Sequence, residues 1–323
     1  MGDNRGNIRI EKSVYRTFPS YEMESGLVRL TVVPGLGGKI VSLLYKPTGK
    51  EWLIDSGSRK LAAVPYGSNF IQADVSGWDE CFPTIVACEY PEEGEYFGRK
   101  LPDHGELWSV PWEIDPVDGR LAGRVDGIAL PYRFSRDLAF SNESTLRMSY
   151  SVENTGDEAL TVFWTAHPLF AATEHTRIVL PEGLDELLCV DGGKVLEKGK
   201  RYSWPHGDGG LTRPLDRIGP RTALDSRKFY AEQALTQGLA VLRENDTGEY
   251  VEMAWSKEQL PYFGFWIDEG EHTGYSVCAL EPCNGYYDSL TEAVKQGKHL
   301  RIAPGEIAGW NLDVRFGNDR RAE

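Results

Sequence analysis

Hydrophobic and polar residues alternate along most of the chain with the two-residue period of a strand half-buried in a sheet. Strand-period runs cover residues 7–15, 27–33, 39–45, 84–90, 131–140, 145–153 and 160–165. They resume at 239–243, 250–255, 262–267, 275–280 and 299–316, the last broken at Pro304-Gly305. Turn sequences separate them, such as Lys46-Pro47-Thr48-Gly49, Asn154-Thr155-Gly156-Asp157 and Asn245-Asp246-Thr247-Gly248. The best helical candidate is short, 289–295, with Asp288 placed to cap it. The glycine-rich stretch 203–221 is expected to be a long surface loop. Many short strands and almost no helix predict an all-β sandwich or barrel instead of βαβ units. No repeat, low-complexity tract or linker interrupts the chain. Residues 1–323 are therefore read as a single domain with its core over about 7–316. Two large packed sheets are the usual build at this length.

Composition narrows the class. The chain carries 9 Trp, 15 Tyr and 12 Phe, too many bulky aromatics for a chain that stays disordered. Acidic residues outnumber basic ones 49 to 35, giving a net charge of −14. Nucleic acid and anionic membranes both need a basic field, so neither is expected as a partner. No apolar stretch reaches the ~18–20 residues that span a bilayer. The segment Met1-Gly2-Asp3-Asn4-Arg5-Gly6 has no apolar character, so no secretory signal is expected. Cys81, Cys88, Cys189, Cys278 and Cys283 are odd in number and irregularly spaced. That pattern suits reduced thiols and a cytoplasmic protein.

Several segments could carry chemistry. Pro34-Gly35-Leu36-Gly37-Gly38-Lys39 lacks the Ser/Thr and the helix of a phosphate loop and reads as a turn. In Ser76-Gly77-Trp78-Asp79-Glu80-Cys81-Phe82-Pro83 a tryptophan stands beside two acids. Indole stacks on the CH face of a sugar and carboxylates accept from its hydroxyls, so Trp78, Asp79 and Glu80 are candidate sugar contacts. A solvated turn around a packed Trp is the competing reading. His104, in Asp103-His104-Gly105, has a neighbouring acid able to orient it for acid–base work; a plain surface histidine is the alternative. His167 ends an apolar run, Phe163-Trp164-Thr165-Ala166-His167-Pro168, where a satisfied core histidine is the usual occupant. Partial burial there would hold its pKa near working pH. Glu281 ends a strand before Pro282 and is placed as a base or as an edge salt-bridge partner. His175, His206, His272 and His299 sit in polar settings and receive no role. His104, His167, Glu281 and Asp79 are metal-ligand types but lack the close spacing of a preformed site, so no metal is expected.

In their order along the chain, these motifs have a family pattern. Gly37-Gly38-Lys39-Ile40-Val41-Ser42-Leu43 and Lys46-Pro47-Thr48-Gly49-Lys50-Glu51-Trp52-Leu53 come first. Gly77-Trp78-Asp79-Glu80-Cys81-Phe82-Pro83, Asp103-His104-Gly105, Ala166-His167-Pro168-Leu169-Phe170, Leu280-Glu281-Pro282 and Asp288-Ser289 follow. The chain resembles the galactose mutarotase-like (aldose 1-epimerase) superfamily from about Gly26 to Phe316. The resemblance implies a β-supersandwich of two large antiparallel sheets with a sugar cleft on one side. It implies a cofactor-independent aldose 1-epimerase with Glu281 as base, His167 as acid and His104 as the second histidine that binds and polarises the sugar. Bottom-up chemistry agrees, because opening a hemiacetal needs one proton removed at O1 and one delivered at O5. Better-known members carry Asn where Ala166 stands and Gln where Cys283 stands. They carry an Asn-Arg pair where Asn69 is followed by Phe70. Those groups hold sugar hydroxyls, so Asn69 is carried over as a substrate contact, with Trp78, Asp79 and Glu80 supplying others. The expected partner is a small sugar, plain or modified, bound by a monomer or homodimer. A non-catalytic sugar-binding or regulatory protein, or a different carbohydrate isomerase or lyase on the same fold, stays open.

Overall fold

The computed structural model describes residues 8–207, 211, 213–232 and 234–319. Residue 7 of the first predicted run and residues 208–210 and 212 of the predicted loop lie outside the described residues. The large sheet runs, in hydrogen-bonded order, through Arg9–Tyr15, Phe18–Glu24, Val28–Val33, Lys39–Tyr45 and Trp78–Cys81. It continues through Thr165–Pro168, Ser276–Cys283, Tyr262–Glu269, Ser226–Ala231, Glu186–Asp191 and Arg201–Ser203. The second sheet orders Thr176–Val179, Gly238–Glu244, Glu249–Trp255, Ile307–Asn318, Thr145–Asn154, Tyr132–Asn142, Arg120–Asp126 and Glu113–Val117. The ladders that build both sheets are antiparallel.

Burial follows the pleat. Tyr132–Asn142 and Ile307–Asn318 alternate buried and accessible positions, as expected of a sheet with one wet face. Their inward residues, with those of Thr145–Asn154, pack toward the large sheet: Trp164, just ahead of the strand Thr165–Pro168, packs on Tyr150 and Trp310 at 4.6 and 5.2 Å between ring centroids. The strands Trp78–Cys81, Thr165–Pro168 and Ser276–Cys283 are instead buried at every position. They lie mid-sheet, with the second sheet under one face and loops over the other.

Two local expectations change. Of the predicted strand 84–90, only Cys88–Glu89 pairs as one, with Lys100–Leu101. The amides of Ile85 and Val86 instead donate to the Asp288 carbonyl, which folds this segment over the large sheet. The helix Leu290–Lys295 forms, but Ser289 caps it, its hydroxyl accepting from the Glu292 amide. Among the described residues, no helix is long and apolar enough to cross a membrane.

Candidate active site

Strand pairing decides which side chains share a face. His167 pairs with Asp79, Glu281 with Gly264, and Trp266 with both Lys228 and Ala279. These residues project from the large sheet away from the second sheet. They floor a cleft of about 390 Å³ whose lining includes Phe70, His104, His167, Lys228, Trp266, Glu281 and Asp288. Gly264 is needed in this row. A Cβ there would lie 2.7 Å from Cε1 of Tyr230, whose ring sits 5.5 Å from the Lys228 ammonium.

One wall is the turn Asp103-His104-Gly105. His104 has φ +56°, a conformation that costs a non-glycine residue about 1–3 kcal/mol. Gly105 follows at φ +72°, and a Cβ on it would stand 2.0 Å from the Phe82 carbonyl oxygen. Asp103 holds the turn from inside: one oxygen accepts from the Phe70 amide at 2.8 Å and the other lies 3.0 Å from His104 Nδ1. The Phe70 ring stacks on His104 at 4.1 Å and meets His167 edge-on at 5.0 Å. The two imidazole centroids are 5.0 Å apart at 78°. His167 Nε2 lies 4.0 Å from Glu281 Oε1. Lys228 Nζ stands 2.9 Å from Glu281 Oε2 and 2.9 Å from Asp288 Oδ1, and Tyr230 donates to the same Asp288 oxygen at 2.7 Å.

These surroundings set the charges. Burial pushes the Glu281 carboxyl up and Lys228 opposes it, with the rise prevailing. Burial disfavours the Lys228 ammonium, but Asp288 and Glu281 more than offset that and hold its pKa above the ordinary lysine value. Burial, and then the positive charges of His104, Lys228 and Lys39, drive His167 well below the usual histidine value. Burial acts to raise Asp103, yet His104 and the amides of Phe70 and His104 leave it below the ordinary carboxylate range. The buried thiols of Cys81, Cys278 and Cys283 are pushed up by burial and by Glu281, so they stay protonated at neutral pH.

The structure thus brings His104, His167 and Glu281 together and distributes the other predicted contacts elsewhere. Trp78 and Glu80 point between the sheets, both 0 % exposed, and do not line the cleft. Trp78 packs edge-on against Phe170. Glu80 accepts from Arg136, Tyr150 and Trp164, because its strand presents even-numbered residues to the core. Asp79 is on the cleft side but beneath the floor, 3.1 Å from Lys39 Nζ, which also donates to Asp74 at 2.7 Å. Asn69 lines a neighbouring depression with Tyr66, Lys100 and Asp103, while the next residue, Phe70, turns into the cleft. Lys228, Trp266 and His272 join the cleft without having been assigned a role from sequence, and Asp288, expected only to cap the helix, lines it too. For the first of them the local signal was weak: Lys228 follows Ser226-Arg227 and precedes Phe229-Tyr230-Ala231. Among the described residues, no group of three or more His, Cys, Asp or Glu side chains is arranged to hold a metal ion.

Solved structures match this chain over nearly its full length. Slr1438 from Synechocystis sp. PCC 6803 is 17 % identical, covers 99 % of both chains and has a TM-score of 0.69. A galactose mutarotase-like protein from Clostridium acetobutylicum is 14 % identical over 96 % of this chain and 99 % of that one, with a TM-score of 0.70. A galactose mutarotase related enzyme from Lactobacillus acidophilus is 15 % identical over 94 % and 99 %, with a TM-score of 0.67. No family model matches the sequence, and no curated protein does. The architecture is nonetheless defined: this chain has the galactose mutarotase-like fold, an all-β supersandwich of large antiparallel sheets.

Proposed function

We propose that the chain is a cofactor-independent aldose 1-epimerase, which interconverts the α and β anomers of a sugar by opening and reclosing its ring. One observation carries this reading. A carboxylate and an imidazole stand 4.0 Å apart, with a second imidazole beside the first, in a cleft within the size range of small-ligand sites. Glu281 Oε1 takes the proton from O1 as the C1–O5 bond breaks, and the imidazole pair protonates O5. Rotation about C1–C2 presents the other face of the aldehyde. Reversal of the two proton transfers closes the ring as the other anomer. Burial and neighbouring positive charge lower the pKa of His167, so it is neutral at rest and holds a proton only transiently, passing it on readily. His104, its Nδ1 3.0 Å from an Asp103 oxygen, is the oriented second imidazole that binds and polarises the sugar. Trp266, fixed by donation to the Ser226 hydroxyl at 2.8 Å, offers the stacking face that Trp78 does not.

NMR on freshly dissolved single anomers, across neutral and acidic sugars, tests the reading. Glu281→Gln and His167→Asn are each expected to slow interconversion at least ~100-fold, the lower end of what positioned proton transfer contributes, with sugar binding largely kept. If the wild-type protein accelerates no sugar in the panel, the proposal fails and a non-catalytic sugar-binding role takes its place.

A further inference from the structure

We infer that Lys228 is the positioning residue of this site: its ammonium ties down one oxygen of Glu281 and leaves the other to the sugar. The inference rests on the reading of Glu281 as the base. Glu281 is 0 % exposed, and a carboxylate taken wholly out of water becomes neutral unless a partner holds it charged. The groups facing it come from six segments. They are Cys283 and Cys278 on its own strand, His167 on Thr165–Pro168, and Cys81 on Trp78–Cys81. Lys228 and Tyr230 come from Ser226–Ala231, His104 from its turn, and Asp288 from the segment after the strand. The thiols and the phenol are neutral, Asp288 repels, and His167 is driven to its neutral form. Lys228 is therefore the permanent cation in contact with the carboxylate, at 2.9 Å from Oε2.

Lys228 is itself anchored. Asp288 holds the ammonium from the other side at 2.9 Å, and Tyr230 both donates to that Asp288 oxygen and lies under the ammonium. An ammonium held this way stays at Oε2 and does not follow the substrate. Neither Glu281 oxygen has a geometrically formed hydrogen bond among the described residues, but Oε2 is in ion-pair contact with Lys228 and Oε1 is not, so Oε1 is left as the accepting atom on the His167 side. Lys228 touches no reacting atom and works through Glu281.

The test is the acid limb of the kcat/KM–pH profile for mutarotation. Lys228→Met keeps the length and removes the charge. Its limb is expected to move up by at least one pH unit, costing tenfold or more near neutrality and recovering as pH rises. Lys228→Arg restores a cation and should keep the limb near the wild-type position. Asp288→Asn removes the repelling charge and frees Lys228 for Glu281, so its limb should move down. A Lys228→Met profile that falls equally at every pH, or an Asp288→Asn limb that does not move down, overturns the inference. Should Lys228→Met not fold, the Asp288→Asn and Lys228→Arg profiles decide. Infrared titration of the Glu281 carboxyl band, assigned with Glu281→Gln, reads the same shifts without turnover. A shift there in a protein that accelerates no sugar keeps the role of Lys228 and removes only the mutarotase reading.

Discussion

Replacing Glu80 asks whether an acid beside Trp78 serves the sugar or the fold. Its carboxylate is buried between the sheets and accepts from Arg136 Nη1 at 2.9 Å, Trp164 Nε1 at 2.9 Å and the Tyr150 hydroxyl at 3.1 Å. Arg136 also donates to the Gly38 carbonyl and lies 4.9 Å from the Trp112 ring. Glu80→Ala leaves that guanidinium in the core without its counter-ion. Removing one partner of a buried ion pair costs about 3–5 kcal/mol, chiefly because of the charge left behind. Unfolding entropy near the midpoint is about 2.1 cal/mol/K per residue, hence ~0.7 kcal/mol/K for 323 residues, and the midpoint should fall by ~4–7 °C. The double variant Glu80→Leu with Arg136→Met removes both charges together and should recover much of the loss, although the Gly38 carbonyl loses its donor. Calorimetry gives the midpoints, and mutarotation well below them should retain its kcat and KM. An unchanged midpoint with a raised KM would refute the reasoning, because Glu80 would then be reaching the sugar.

Other perturbations separate fold from site in the same way. Trp78→Ala should cost about 3–5 kcal/mol, the range for emptying a buried aromatic position, with sugar affinity kept in the folded protein; a stable variant that binds sugar weakly contradicts this. Trp266→Ala should do the reverse, raising KM in steady-state assays with little change in midpoint. Asp79 is raised from 3.8 to about 7 by burial, against the pull of Lys39. Between those pH values the folded chain holds a proton that the unfolded chain has released, so this contribution is full below pH 3.8 and is lost as pH rises towards 7. Asp79→Asn should therefore gain on the wild type by up to ~1.4 kcal/mol per pH unit across that window, read from urea midpoints. A difference that stays constant with pH argues against a buried, protonated Asp79.

Sequence periodicity finds the strands of this protein where one face is wet, as in Tyr132–Asn142 and Thr145–Asn154. It fails at Trp78–Cys81, where burial on both faces erases the alternation. The same four residues show why charge misleads. Asp79 and Glu80 look like a solvated edge, yet each is buried against a lysine or arginine distant in sequence, Lys39 and Arg136. His167 and Glu281 stood out as isolated titratable residues at apolar strand ends, while the roles given to them were implied by the family resemblance. Their spacing was not legible, since it depends on Thr165–Pro168 lying beside Ser276–Cys283. Lys228 and Asp288 were hidden for a related reason: what makes them notable is each other and Glu281, and only the pairing of Ser226–Ala231 with Tyr262–Glu269, and of that with Ser276–Cys283, brings them within reach.

The cleft is assembled from residues 103–104, 167, 228, 281 and 288, and that dispersion governs when it comes into being. No local stretch of chain holds both His167 and Glu281, so the pair cannot form until Ser276–Cys283 has docked between Thr165–Pro168 and Tyr262–Glu269. Pairings between segments so far apart are slow to form, because closing a long loop costs entropy before any contact is gained. On the proposed reading, turnover therefore reports that folding has reached its end, not that some part of it has occurred. A chain severed in the turn between Trp255 and Tyr262 leaves His104, His167 and Lys228 on one piece and Glu281 and Asp288 on the other. On the proposed reading, activity can return only when the two pieces rebuild one sheet.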